Sequence, residues 1–159
     1  MNKSNKRADQ GGKYFTPAGL KFATCCSGTK YENRDDLLLI VLDPGSHICA
    51  CFTSSTMPSA PVIWSKENNK KAQNLKQKIV LLINAGNANA FTGEDGLLAC
   101  EEKATSLSAI FNCERKNIFF ASTGVIGEKL PHKKIIQHFN YLQKNLSSYN
   151  LKNASYSIL

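Results

Sequence analysis

Apolar residues fall in two rhythms along this chain: short runs and alternations in some stretches, and three- and four-residue spacing in others. Leu20, Phe22 and Thr24 alternate with Lys21 and Ala23, which predicts a strand with one buried face. Residues 36–42 are almost wholly apolar. Together with residues 48–53 they predict a hairpin closed around Asp43-Pro44-Gly45-Ser46, where Pro and Gly supply the turn dihedrals. Residues 58–78 begin with an apolar patch, Val62, Ile63 and Trp64, read as short helix or irregular, and continue as a lysine- and asparagine-rich connector.

Residues 79–83 and 118–121 are continuous apolar runs of the kind found in strands covered on both faces. A helix follows each. Thr92 stands at an N-cap position with Asp95 as an imperfect capping-box partner, ahead of Leu97, Cys100, Ala104, Leu107 and Phe111 at helical spacing. Pro131 opens another helix, with Ile135, Ile136, Phe139, Leu142 and Leu146 on one side. Strand, turn and helix, twice over, predict an α/β fold of layered sheet and helices. Residues 1–14 form a basic tail, residues 15–146 the body, and residues 147–159 a polar stretch with no closing element in view.

The chain has 159 residues, enough for one core. Its 42% hydrophobic and 20% charged residues are near the globular average, and no run approaches the roughly 20 apolar residues of a membrane span. The N-terminus has no apolar signal core, so a cytoplasmic location without membrane attachment is expected. Six cysteines without a Cys-x-x-Cys pair are then expected as free thiols. His47, Cys49 and Cys51 would share one face of a strand and could share an ion, but no fourth ligand is evident and strand cysteines pack well as small apolar residues, so no metal site is expected. The net charge of +8 is scattered between the tail (Lys3, Lys6, Arg7, Lys13) and the connector (Lys66, Lys70, Lys71, Lys76, Lys78). A solvated surface explains it better than nucleic-acid binding, and no recognition motif accompanies it.

Candidate chemistry lies where the two apolar runs end. Asn84-Ala85-Gly86-Asn87-Ala88-Asn89-Ala90 follows the first and Ala121-Ser122-Thr123-Gly124-Val125-Ile126-Gly127-Glu128 the second. Turns after strands bring backbone N–H groups to the sheet edge where ligands bind. Thr123 and Gly124 offer a hydroxyl and a glycine N–H suited to an oxyanion hole, or else form a plain tight turn. Asn84, Asn87 and Asn89 order a pocket wall or a turn, and spacing alone favours the turn. Glu94 and Asp95 suit the first turn of a helix through its dipole, and Glu128 is a further carboxylate. His132 and His138 fit the polar face of the last helix.

Read together, the segments Asn84 to Gly96 and Ser122 to Pro131 closely resemble the bifunctional ornithine acetyltransferase/glutamate N-acetyltransferase family of arginine biosynthesis. Weaker similarity runs upstream through Gly28-Thr29-Lys30, Arg34-Asp35-Asp36-Leu37, Phe52-Thr53 and Ala60-Pro61-Val62, with Phe52-Thr53-Ser54-Ser55 departing from the family's Phe-Thr-x-Asn. The resemblance covers residues 15–145 and implies the family's layered fold, incomplete at the C-terminus. It implies acetyl transfer from N-acetylornithine, or from acetyl-CoA as a donor substrate, to glutamate through an acetyl-threonine, with no cofactor. It gives Thr123 and Gly124 the oxyanion role. The family's precursor cuts itself to expose the threonine, and its α and β chains assemble into a larger oligomer.

The family's Thr-Thr-Asp segment and its Met-Ala-Thr-Met-Leu nucleophile motif do not occur in these 159 residues. The expectation is therefore a chain that is silent alone and needs a downstream β-chain segment as partner. A related self-processing amidase or peptidase fragment, an inactive gene remnant and a basic nucleic-acid-binding module stand as alternatives.

Overall fold

The computed structural model describes residues 16–71 and 74–158; the basic tail lies outside the described residues. Four strands form one sheet in the order β1-β2-β3-β4, with β1 Leu20–Cys25, β2 Leu37–Leu42, β3 Ile79–Asn84 and β4 Ile118–Ser122. β2 pairs antiparallel with both β1 and β3, and β4 runs parallel to β3. The parallel step needs a crossover, and the long helix α2, Gly93–Phe111, provides it. Alpha helix α1 is Ala60–Lys70, α3 is His132–Gln137, α4 is Phe139–Lys144 and α5 is Leu151–Ser157. The mixed α/β layering expected from the sequence is present.

One face of the sheet carries the main core, where Ala23, Leu39, Val80, Leu82 and Phe120 meet Cys100, Ala104, Leu107 and Phe111 of α2 and Ile135, Phe139 and Leu142 beyond. The opposite face is thinly covered. Phe22 and Leu38 pack there against Leu151 and Ala154 of α5, whereas Leu81 and Ile83 remain half-buried and Ala121 is exposed. The expectation of full burial on both faces therefore fails at Ala121, because α5 covers that face only over β1 and β2.

Several expected elements are corrected. Residues 48–53 form no strand, because β1 and β3 already occupy both edges of β2 and leave no hairpin partner a place to pair. The Asp43–Ser46 turn survives, with Ser46 N–H donating to the Asp43 carbonyl at 3.3 Å. The patch at Val62 is a full helix of eleven residues. Its apolar pattern was faint because α1 turns polar side chains inward, Ser65 and Asn68 being buried. Thr92 occupies the N-cap without capping; its hydroxyl instead donates to Asn89 Oδ1 at 3.0 Å, and Asp95 pairs with Lys129 at 3.0 Å. The last helix breaks into α3 and α4 at His138. The terminal stretch does close on the sheet: Ser147 bridges Phe22, and α5 packs on β1.

Candidate active site at the ends of β3 and β4

The two small-residue segments lie side by side beyond β3 and β4, and the parallel ladder continues between them. Thr123 N–H donates to the Asn84 carbonyl at 3.0 Å, and Val125 N–H to the Gly86 carbonyl at 3.2 Å. Ala88 N–H donates to the Val125 carbonyl and Gly127 N–H to the Ala90 carbonyl, both at 2.9 Å. Backbone groups along a strand alternate in direction. The N–H and C=O of Ser122 therefore face away from β3, while Gly124 lies just beyond the strand at a φ of +130°. Among the described residues, neither the Gly124 N–H nor the Thr123 hydroxyl has a hydrogen-bond partner, and both residues are exposed to solvent.

Glycine is required at Gly124 by contact as well as conformation. Its φ is +130°, and a Cβ there would collide with the backbone of Gly86 and Asn87. Gly86, at φ +96°, is pressed in turn against Lys30 and Tyr31. The turn that presents Lys30 is fixed by Asp36, fully buried, whose carboxylate accepts from Ser27 N–H at 2.6 Å, from the Ser27 hydroxyl at 2.9 Å and from the Thr29 hydroxyl at 3.3 Å. The upstream Gly28-Thr29-Lys30 and Asp35-Asp36 segments thus support the site from behind.

The three asparagines are buried and hold the first loop. Asn84 Nδ2 donates to the Asn87 carbonyl at 2.8 Å, and Asn84 Oδ1 accepts from the Ser122 hydroxyl at 2.6 Å. Asn87 Oδ1 accepts from Asn89 N–H at 2.8 Å, while Asn87 Nδ2 donates to the Glu128 carbonyl at 3.1 Å. Asn89 Nδ2 reaches the Gly96 carbonyl at 3.1 Å. Their amides are consumed in shaping the loop, as in a turn, and do not line a cleft.

Other candidates are dispersed. Glu128 sits on the surface with Lys30 at 3.3 Å. His47, Cys49 and Cys51 are exposed and lie on no strand, and no three potential ligands come together among the described residues. His132 is buried rather than on a polar face; its Nε2 lies 2.9 Å from a Glu102 oxygen. His138 lines a separate polar cleft of about 560 Å³ with Asp35 and Tyr141. All six cysteines are free. Lysines pair with carboxylates at scattered places, Lys70 with Glu67 and Lys116 with Glu114 among them. No helix among the described residues is long and apolar enough to cross a membrane.

Residues of α1 that no sequence motif marks also serve β4. Trp64, Ser65 and Asn68 of α1 hydrogen-bond the outward-facing backbone of β4. Trp64 Nε1 and Asn68 Nδ2 both donate to the Ile118 carbonyl at 2.9 Å. The Ser65 hydroxyl donates to the Phe120 carbonyl at 2.8 Å and accepts from Phe120 N–H at 2.9 Å. Ser65 and Asn68 fall three residues apart, so the pair was a legible signal of a polar face turned inward.

The pattern of the ArgJ family matches residues 21–159. The chain is 41% identical over 121 residues to an arginine biosynthesis bifunctional protein ArgJ of Gluconobacter oxydans, covering 76% of this chain and 28% of that protein. A protein of the same name from Agrobacterium fabrum is 44% identical over 116 residues, 73% of this chain and 27% of its own length. Among solved structures, the fold is similar to ornithine acetyltransferase from Mycobacterium tuberculosis, crystallised with ornithine, with a TM-score of 0.75 and 25% identity over 89% of this chain and 76% of that one. It is also similar to an arginine biosynthesis bifunctional protein argJ from Bacillus halodurans, with a TM-score of 0.65 and 28% identity over 76% of this chain and 61% of that chain. The chain spans under a third of the length of these curated relatives.

Proposed function

The chain belongs to the ArgJ family, and from that premise we propose that it supplies the oxyanion-binding part of an acetyltransferase site whose nucleophilic threonine comes from a complementary segment. The observation that carries this reading is the unpartnered donor pair, the Thr123 hydroxyl and the Gly124 N–H, set between two N–H groups that are both bonded. A solvent-facing donor pair held by a rigid ladder costs no reorganisation when charge develops beside it.

In this reading the threonine oxygen attacks the acetyl carbonyl of N-acetylornithine, and the carbonyl oxygen takes up negative charge. Thr123 and Gly124 donate to it. Collapse breaks the C–N bond, the hydroxyl proton passes to the departing ornithine nitrogen, and the acetyl group remains as a threonine ester. The amine of glutamate then attacks that ester through a second oxyanion in the same place, returning the hydroxyl. Acetyl-CoA would enter as an alternative donor by the same first step. Each donor is worth about 3 to 4 kcal/mol of barrier.

Two observations favour a complementary segment. Leu81, Ile83 and Ala121 leave an apolar strip of sheet open beside the donor pair. The match also fills 76% of a solved relative's chain but only 28% of a curated full-length relative, as expected where the family's working chain is shorter than its precursor. The test is reconstitution in the cytoplasmic setting expected for this chain. Purified chain mixed with a complementary segment carrying the threonine should form a hetero-oligomer and transfer acetyl from N-acetylornithine to glutamate, and either component alone should not. Complex formation without transfer would contradict the proposal.

A further inference from the structure

The polar cleft of about 560 Å³ that holds Asp35 and His138 opens where β1 ends, against α4 and the start of α5. It shares no lining residue with the two small-residue segments beyond β3 and β4. Its hydrogen-bond donors are largely spent within the protein. The Thr24 hydroxyl donates to Asp35 Oδ2 at 2.5 Å, and the Cys26 thiol to the Tyr31 carbonyl at 3.2 Å. Asn150 spends both amide protons on the Phe22 and Asn145 carbonyls, each at 3.2 Å, and Asn145 Nδ2 donates to the Tyr141 carbonyl at 2.8 Å. A carbonyl only accepts, so these contacts fix which end of each amide is engaged. Left without a partner among the described residues are Oδ1 of Asn145, Oδ1 of Asn150 and the second carboxylate oxygen of Asp35.

The charge balance of the cleft runs against that of the chain. The whole chain carries +8, yet no lysine or arginine lines this opening, where Asp35 is the one carboxylate and His138 the one side chain able to carry a positive charge. An anion finds no fixed partner there. A bare metal ion fits poorly as well, since a single carboxylate lies in a space much wider than one coordination sphere and no three potential ligands converge among the described residues. Open acceptors, one of them anionic, instead suit a cation that brings its own N–H groups, because charge-assisted hydrogen bonds are about twice as strong as neutral ones. We propose that this cleft binds an organic cation through a protonated primary amine or guanidine, with Asp35 balancing the charge and the Asn145 and Asn150 oxygens accepting the remaining N–H groups. Tyr141 adds an aromatic ring to the wall, a group whose face attracts cations. Neither Thr123 nor Gly124 takes part, so the inference is independent of the oxyanion reading.

The test titrates isotopically labelled full chain, at constant ionic strength, with n-butylammonium, with n-butylguanidinium and with n-butyltrimethylammonium, which has the same charge but no N–H. Nuclear magnetic resonance follows the side-chain amides of Asn145 and Asn150. Saturable shifts at both amides are expected with the amine, the guanidine or both, and none with the trimethylated cation; the ligand that saturates at the lower concentration identifies the head group. Asp35→Asn, which keeps an oxygen for Thr24, should weaken binding about tenfold. Asn153 lines the cleft from α5 with an exposed side chain that has no hydrogen bond among the described residues. Asn153→Asp adds a second carboxylate and should tighten binding about twofold, a gain that misfolding does not produce. No saturable shift with either N–H cation, equal shifts with the trimethylated one, or saturation by calcium chloride alone would overturn the inference. So would unchanged binding in a folded Asp35→Asn chain; should that variant unfold, unchanged or weaker binding by Asn153→Asp overturns it instead.

Discussion

Gly124 and Gly86 meet backbone to backbone, with no room between them for a Cβ on Gly124. The close approach lets the N–H groups of Thr123 and Val125 bond Asn84 and Gly86 while that of Gly124 is left without a partner among the described residues. Gly124→Ala must part the two loops and adopt a φ of +130° that alanine avoids. A loss of about 2 kcal/mol or more is expected, read as a lower urea midpoint. An unchanged midpoint would mean that the loops yield easily and that glycine is dispensable there.

Ser65 is the single side chain that satisfies both backbone groups of Phe120 in the core. Ser65→Ala leaves a buried N–H and a buried carbonyl without partners, at a cost of about 1 to 3 kcal/mol. Hydrogen exchange at the Phe120 amide should accelerate in the variant. Wild-type protection in Ser65→Ala would show that the β4 edge is closed by something other than this hydroxyl.

Lys103 is 1% exposed, with its ammonium 4.5 Å from the Phe120 ring centroid and no carboxylate partner among the described residues. Burial lowers its pKa from the ordinary 10.5. Between the lowered native pKa and 10.5 the native state holds fewer protons than the unfolded chain, so stability rises with pH across that window. Lys103→Met removes the penalty of burying a charge and should stabilise the chain at pH 7 by about 1 to 3 kcal/mol while flattening that rise. Destabilisation at pH 7 would mean that the cation–ring contact outweighs desolvation.

The thiols should divide by burial. Cys25 is pushed up to about 12, first by burial and then by the nearby charges of Asp35 and Asp36, and Cys113 to about 11, chiefly by burial. Cys100 is raised by burial as well. Cys49 and Cys51 are exposed. A thiol-disulfide reagent at pH 8 is expected to modify Cys49 and Cys51 quickly and to reach Cys25, Cys100 and Cys113 only on unfolding. Rapid labelling of all six in the native chain would contradict this core.

The strands at β1, β3 and β4 and the long helix α2 were legible because each has one uniform rhythm, as Cys100, Ala104, Leu107 and Phe111 show. Residues 48–53 were not legible as irregular, because the turn signal at Asp43-Pro44-Gly45-Ser46 is local and cannot reveal that both edges of β2 are taken. Helix α1 was faint because Ser65 and Asn68 face inward to serve a strand some fifty residues away in sequence. Lys103 sits on the apolar stripe of α2, four residues before Leu107, and a lysine there reads as surface until the packing is seen. In the site, Thr123 and Gly124 were legible as donors. Their support by Asp36 through the Lys30 turn was not, because Gly86 links those segments only through space.

The central claim is that Thr123 and Gly124 receive the oxyanion, and Thr123→Ala in the reconstituted complex tests it most directly. Labelled acetyl transfer from N-acetylornithine to glutamate should fall by roughly 100- to 1,000-fold in kcat while assembly, read by size, stays as in the wild type. Thr123→Ser, which keeps the hydroxyl, should restore most of the rate. Transfer by Thr123→Ala at the wild-type rate would contradict the claim.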